Sequence, residues 1–220
     1  MPKSVKTVKR IILLGPQGAG KTTQGERIEQ FLDIKTVVIG NLLRQEIKNK
    51  SDFGLKIAQI VNSGAMVPDE LTIELMIKTL SQEEYKDGFI SDGFPRTMKQ
   101  AKYLDEKTNI KIDKVFNIEI SDLEAIERLS NRRVCPNGHI FHLLYKLPKK
   151  EGICDTCQLP LEQRADDTQA AVAQRLKIYR EETTQLLDYY GNQGKLVIFD
   201  GAKSISLVTD DVLNYLRNVR

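Results

Sequence analysis

The stretch Ile11–Gln24, IILLGPQGAGKTTQ, passes in one step from four aliphatic residues to three glycines, a lysine and two threonines. An aliphatic run ended by glycine fits a strand buried on both faces, and Ile28, Phe31 and Leu32 give the residues after Lys21 the apolar stripe of a helix. Strand, glycine-rich loop and helix in that order, with the spacing Gly15-x4-Gly20-Lys21-Thr22, form a P-loop pattern. Glycines let successive backbone N–H groups curl around a phosphate, and the helix start adds its positive dipole end. Lys21 supplies a point charge for β- and γ-phosphates, and a hydroxyl of Thr22 or Thr23 reaches Mg²⁺.

Around this loop the chain has 220 residues, 40% of them hydrophobic, enough to bury one sizeable core with room for small insertions. Its 33 basic and 30 acidic residues leave a formal charge of +3, so no general affinity for nucleic acid follows and small anionic ligands fit better. No apolar run approaches the roughly 18 residues that span a bilayer. The leading MPKSVKTVKR runs into only four aliphatics, too few for a signal-peptide core. A soluble, cytoplasmic chain with neither nucleic acid nor membrane as partner is expected. Three cysteines cannot all pair within the chain, and their clustering between Cys135 and Cys157 suggests metal ligation.

Five short β-type runs, Arg10–Leu14, Lys35–Ile39, Phe89–Asp92, Val115–Ile120 and Leu196–Asp200, alternate with helical patterns. That alternation predicts an α/β fold, a doubly wound five-stranded parallel sheet covered on both faces. In Ser51–Gly64, Leu55, Ala58 and Val61 recur three apart and predict a helical face, and Pro68 opens a further helix with Asp69 and Glu70 in its first turn. Together 38–67 reads as a small helical insertion. Val172, Leu176, Tyr179, Thr183, Leu186 and Tyr190 step by four and three, predicting one long amphipathic helix packed on the sheet and capped by Asp166 with Gln169. Between them Asn131–Asp167, rich in Cys, Pro and Gly, fits neither period and reads as a separately folded, turn-rich insertion.

The segment SDGFPRT puts Asp92 at a strand end, where an acid can hold Mg²⁺ through water, and Arg96 just beyond, where a guanidinium can grip phosphate. Arg128, Arg132, Arg133, Arg164 and Arg175 become candidates through their company with the P-loop. GPQGAGKTTQ, GNLLR, MVPDEL, DGFPRTMKQ, NRRVCP, RADD, QRLKIY and VIFDG occur in an order that resembles the signatures of adenylate kinases and spans nearly the whole chain.

The resemblance implies a P-loop core of 1–37, 68–130 and 168–220, an AMP-binding insertion over 38–67 and a lid over 131–167. It implies a monomer that moves a phosphoryl group reversibly from MgATP to AMP. By that resemblance Gly18, Ala19, Gly20, Lys21, Thr22 and Thr23 hold the ATP phosphates, Arg128 stacks on the ATP adenine and Lys203 lies near the ring. Arg44 and Arg96 hold the AMP phosphate, with Arg132, Arg164 and Arg175 completing the cage around the transferring group. Ile39, Ala65, Met66, Val67, Gly93, Phe94, Pro95 and Gln100 line the AMP base and sugar, and Asp166 and Asp167 latch the closed lid. A glutamine amide can donate to adenine N1 and accept from N6–H, although cytosine presents a similar pair.

Some positions depart from the family pattern. Ile39 stands where threonine is usual and removes a hydroxyl contact to the AMP base, and Asn41 replaces aspartate. Gln17 and Thr22 replace proline and glycine in the loop. Many bacterial relatives carry four lid cysteines, whereas CPNGHIFH offers Cys135 and two histidines. Cys154 and Cys157 have zinc-knuckle spacing, Cys135 closes a third corner, and the turn at PNG favours His139 over His142 as fourth ligand of a structural zinc. Two other readings use the same residues. One is a kinase for CMP or UMP, which Ile39 allows; the other is a non-catalytic nucleotide-binding module carrying zinc.

Overall fold

Strand β1 (Arg10–Leu14) is the middle of a five-stranded sheet in the computed structural model, which describes residues 8–219. Residues 1–7, most of the basic leading stretch, lie outside the described residues. The other strands are β2 (Lys35–Val38), β3 (Phe89–Asp92), β4 (Lys114–Glu119) and, late in the chain, Leu196–Asp200, in the order β2, β3, β1, β4 and then that last strand. All neighbours are parallel, so the expected doubly wound sheet is what the chain forms.

Successive side chains of a strand point to opposite faces, and β1 shows it. Ile11 and Leu13 belong to one buried cluster, Ile12 and Leu14 to the other. Helix α1 (Lys21–Leu32) buries Ile28 in the first cluster, as its apolar stripe predicts. The second face is covered by α4 (Asp69–Leu80), through Ile73 and Met76, and α5 (Met98–Lys107), through Ala101 and Leu104. Between β2 and α4 come α2 (Ile39–Lys48) and α3 (Asp52–Asn62). Strand β2 stops one residue earlier than expected because Ile39 already begins α2. The buried face of α3 also differs from expectation. Leu55 is 63% exposed while Ile57 is fully buried, because α3 packs toward α2 through Gly54 and Ile57.

α6 (Asp122–Ser130) starts with a complete capping box, Ser121 with Glu124, and leads into the antiparallel pair β5 (Arg132–Val134) and β6 (Ile140–His142). These open the turn-rich insertion, whose own small core is Cys135, Phe141 and Cys154.

The long helix expected from residue 166 is real in its stripe but not in its continuity. It comprises α7 (Gln169–Ile178), a wide π turn over Tyr179–Thr183 and α8 (Gln185–Gly191). All six stripe residues are buried, yet Val172 and Leu176 join the first cluster and Leu186 and Tyr190 the second. The cap is Thr168, whose hydroxyl accepts from the Ala171 N–H at 3.3 Å; Asp166 is occupied elsewhere. β7 (Leu196–Asp200) and α9 (Ile205–Asn218) complete the fold, with Val208, Val212 and Leu216 on the first face.

Candidate active site

The loop after β1 does what its glycines allow. Gly15 has φ +135°, and a Cβ there would lie 2.2 Å from the Ile118 carbonyl oxygen, so the turn needs glycine. α1 follows from Gly20 at φ +90°, and no side chain at that cap bonds the first N–H groups of the helix. Lys21 folds back and donates to the Gly15 and Pro16 carbonyls at 2.7 and 2.8 Å. Burial lowers its ammonium to about 8, with Asp92 pulling it back up and Arg96, Arg175 and Arg132 pushing it further down. The Thr22 hydroxyl donates to Asp92 at 2.6 Å, joining the loop to the end of β3.

A cleft of about 1140 Å³ opens over this loop, bordered by Gly18, Ala19, Gly20, Lys21, Thr22, Thr23, Arg128, Arg132 and Lys203. The residues that the resemblance assigns to ATP thus line one cleft. Arg128 is steadied by the Gly201 carbonyl at 2.9 Å, whereas Lys203 is exposed and paired with Asp211. The same cleft is walled by Ile140, Phe141, Tyr145 and Lys146, which the sequence reading did not single out, and by His142, which it had weighed only as a zinc ligand.

A second, smaller cavity adjoins it, bordered by Ile39, Arg44, Ala65, Met66, Val67, Gly93, Arg96, Gln100 and Arg175. Phe94 and Pro95 are not among its walls: Phe94 is 1% exposed in the second core cluster, and Pro95 is buried beside it. Arg164 borders the larger cleft rather than the smaller one. Gly93, at φ +83°, brings its backbone against the Arg96 guanidinium and the Ile39 side chain; Arg96 Nε donates to the Gly93 carbonyl at 2.8 Å. Asn41 accepts from Arg44 at 2.7 Å, so the departure at position 41 still steadies the arginine.

Arg44, Arg96 and Arg175 border both cavities, and Arg132 and Arg164 line the larger one. Burial lowers Arg96 to about 10, and Arg175 and Arg44 push in the same direction. Burial also lowers Arg164 to about 9, helped by Arg132 and Arg44. Arg44 and Arg175 are lowered by burial as well, with Asp166 opposing. Cations crowded this way are mutually destabilising until anionic charge arrives between them. Two carboxylates partly offset them: Arg132 holds Asp167, and Arg175 reaches Asp166 at 3.2 Å and Asp167 at 3.3 Å. Arg133 stays outside, donating to the Ser130 and Arg132 carbonyls.

In the turn-rich insertion, Cys135, His139, Cys154 and Cys157 bring one ligand atom each to within 4.8 Å of one another. His139 Nδ1 lies 3.2 Å from Cys135 Sγ and 3.4 Å from Cys154 Sγ, and Cys157 Sγ lies 3.5 Å from Cys135 Sγ. His142 is turned to other work, its Nδ1 accepting from the Leu144 and Tyr145 N–H groups at 3.0 and 3.2 Å. Burial pushes the Cys154 thiol up, but the backbone N–H groups of Cys157 and Thr156 and the thiols of Cys157 and Cys135 together outweigh it and lower the thiol to about 6. Three sulfurs and an imidazole so placed could hold a metal ion.

A family profile described as "Adenylate kinase" matches residues 13–195. Proteins named adenylate kinase from Caldicellulosiruptor bescii, Finegoldia magna and Acetivibrio thermocellus are 44%, 42% and 42% identical. The matches cover 94%, 94% and 96% of this chain and 98%, 99% and 99% of those proteins. A profile covering most of the chain and relatives matched nearly end to end agree with the P-loop, the paired cavities and the arginine cluster: the chain belongs to the adenylate kinase family.

Proposed function

We propose that the protein transfers the γ-phosphoryl group of MgATP to AMP, reversibly, giving two ADP. The observation that carries this is that Arg44, Arg96, Arg132, Arg164 and Arg175 line one cleft with Lys21, three of them, Arg44, Arg96 and Arg175, also bordering the small cavity. The loop Gly18–Thr23 holds the triphosphate of a nucleotide in the larger cavity, with Arg128 and Lys203 toward its base. The smaller cavity takes the monophosphate, its phosphate on Arg44 and Arg96 and its base against Ile39, Val67 and Gln100.

A monophosphate oxygen is already a competent nucleophile, so no covalent intermediate and no general base are needed. The residues align donor and acceptor, gather positive charge around the equatorial oxygens and keep water out. Asp92 and Thr22, already hydrogen-bonded at the loop, would hold Mg²⁺, Asp92 through water. Bound Mg²⁺ neutralises charge on the β- and γ-phosphates. Residues 38–67 and 131–167 serve as closing units over the core, and water exclusion on closure keeps ATP from being hydrolysed instead. Zinc at Cys135, His139, Cys154 and Cys157 is structural: four protein ligands leave no position for substrate water. The protein acts as a cytoplasmic monomer. No helix among the described residues is long and apolar enough to cross a membrane.

A coupled assay across AMP, CMP, UMP and GMP tests the reading, AMP being the preferred acceptor. Preference for CMP or UMP would make it another monophosphate kinase, and no turnover with any acceptor would leave a binding module. Arg96→Ala should lower turnover by about 10³-fold, the scale of removing a cation from developing phosphoryl charge. Near-normal turnover in that variant removes Arg96 from the reaction.

A further inference from the structure

Gln100 is 1% exposed and borders the small cavity, yet both ends of its amide already have partners. Its Nε2 donates to Asp69 Oδ1 at 2.7 Å and its Oε1 accepts from the Arg96 backbone N–H at 2.7 Å. The other oxygen of Asp69 accepts from the Thr97 hydroxyl at 3.0 Å, and Thr97 in turn caps α5 by accepting from the Gln100 N–H. We propose that Asp69 is a positioning residue that fixes the direction of the Gln100 amide and so decides which bases the small cavity admits. This deepens the proposed function and rests on it.

The chemistry of the partners fixes the orientation. An ionised carboxylate only accepts, so the amide nitrogen must face Asp69; a backbone N–H only donates, so the amide oxygen must face Arg96. A flipped amide would set donor against donor at one end and acceptor against acceptor at the other. After these two bonds the amide keeps one N–H and one oxygen lone pair. A base that offers an acceptor beside an amino donor, as the pairing edge of adenine or cytosine does, can satisfy both. A base with a ring N–H beside a carbonyl, as in hypoxanthine, guanine or uracil, presents the reverse order and leaves buried polar groups unpaired. Discrimination needs the amide held in one direction, and Asp69, from the first turn of α4, is what holds its nitrogen end.

AMP and IMP have purine rings of one size and differ at this edge, so their kcat/KM ratio reads the amide direction. In Asp69→Ala the nitrogen end is released. The AMP-to-IMP ratio should fall by up to about tenfold, a neutral hydrogen bond's worth, mostly through a raised KM for AMP. Asp69→Asn can still accept from Gln100 and should keep most of the ratio. If the alanine variant does not fold, Asp69→Ser, which keeps a polar residue at the helix start but is too short to reach the amide, replaces it with the same expectation. A ratio unchanged in the alanine or serine variant, with only melting temperature reduced, overturns the inference and leaves the proposed function standing. Wild-type protein that uses AMP no better than IMP overturns both.

Discussion

Arg132, at the start of the turn-rich insertion, grips Asp167, at its end, through two parallel bonds, Nε to Oδ2 at 2.8 Å and Nη2 to Oδ1 at 2.5 Å. The side chains are 15% and 0% exposed, so the two ends of the insertion are pinned together by a pair largely withdrawn from water. Asp167→Ala would leave the guanidinium without its carboxylate, and breaking such a pair costs about 3 kcal/mol or more. Asp167→Asn, which keeps one acceptor, should lose less. Denaturant midpoints of the three proteins check this; an unchanged midpoint in the alanine variant would show that the pair does not hold the fold.

Lys21 is strained by its surroundings while it donates to the loop carbonyls. Its pKa falls from an ordinary 10.5 to about 8, so between those pH values the unfolded chain binds more protons than the folded one. Stability therefore rises as pH climbs from about 8 toward 10.5, and the destabilisation is full below pH 8. Lys21→Met should melt higher than wild type at pH 7, lack the rise in that window and lose phosphoryl transfer. Thermal melts against pH decide it, and a variant melting lower at pH 7 would contradict the assignment.

Ile39 is 1% exposed and lies in the second core cluster while also bordering the small cavity. A threonine there would offer the base a hydroxyl, worth roughly 0.5–1.5 kcal/mol, or up to about tenfold in AMP affinity. It would also remove buried apolar surface, about 1 kcal/mol of stability. Ile39→Thr should thus bind AMP more tightly and melt lower. Equilibrium titration that finds no gain in affinity would mean the side chain does not reach the base.

Purified protein should contain about one equivalent of zinc, lost together with melting temperature in Cys154→Ser. His139→Ala should lose the metal and His142→Ala should keep it, since only His139 stands among the sulfurs. Metal-free wild-type protein with an unchanged melting temperature under chelation would remove the metal from the fold's stability.

The parallel sheet and the P-loop were legible because they are local. Aliphatic runs ended by glycine or aspartate fix buried strands, and Lys21 after Gly20 fixes the loop. Gly15, Arg96 and Cys154 stood out for the same reason, each sitting in a short motif with its own chemistry, whereas Arg44 became a candidate only through the family resemblance. What local pattern does not carry is which neighbour a face meets. Leu55 had the spacing of a buried residue and is exposed because α3 leans on α2 through Gly54 and Ile57. Asp166 had a capping residue's place, but Arg175 nine residues on claims its carboxylate, and Thr168 caps instead. Asp69 read only as favourable charge at a helix start; its bond to Gln100 joins α4 to α5 across 31 residues of sequence.

The π turn at Tyr179–Thr183 has a consequence for how the molecule comes apart. Ahead of it the helix is sealed into one side of the sheet through Val172 and Leu176; beyond it the helix is sealed into the other side through Leu186 and Tyr190. At the turn itself the Thr183 hydroxyl bonds the Arg96 carbonyl at 2.9 Å, tying the switch to the site. One covalent rod thus belongs to both layers, and neither can open without dragging on the other. Slowly exchanging backbone amides on the two sides of the sheet should consequently share a single opening free energy, as members of one cooperative unit.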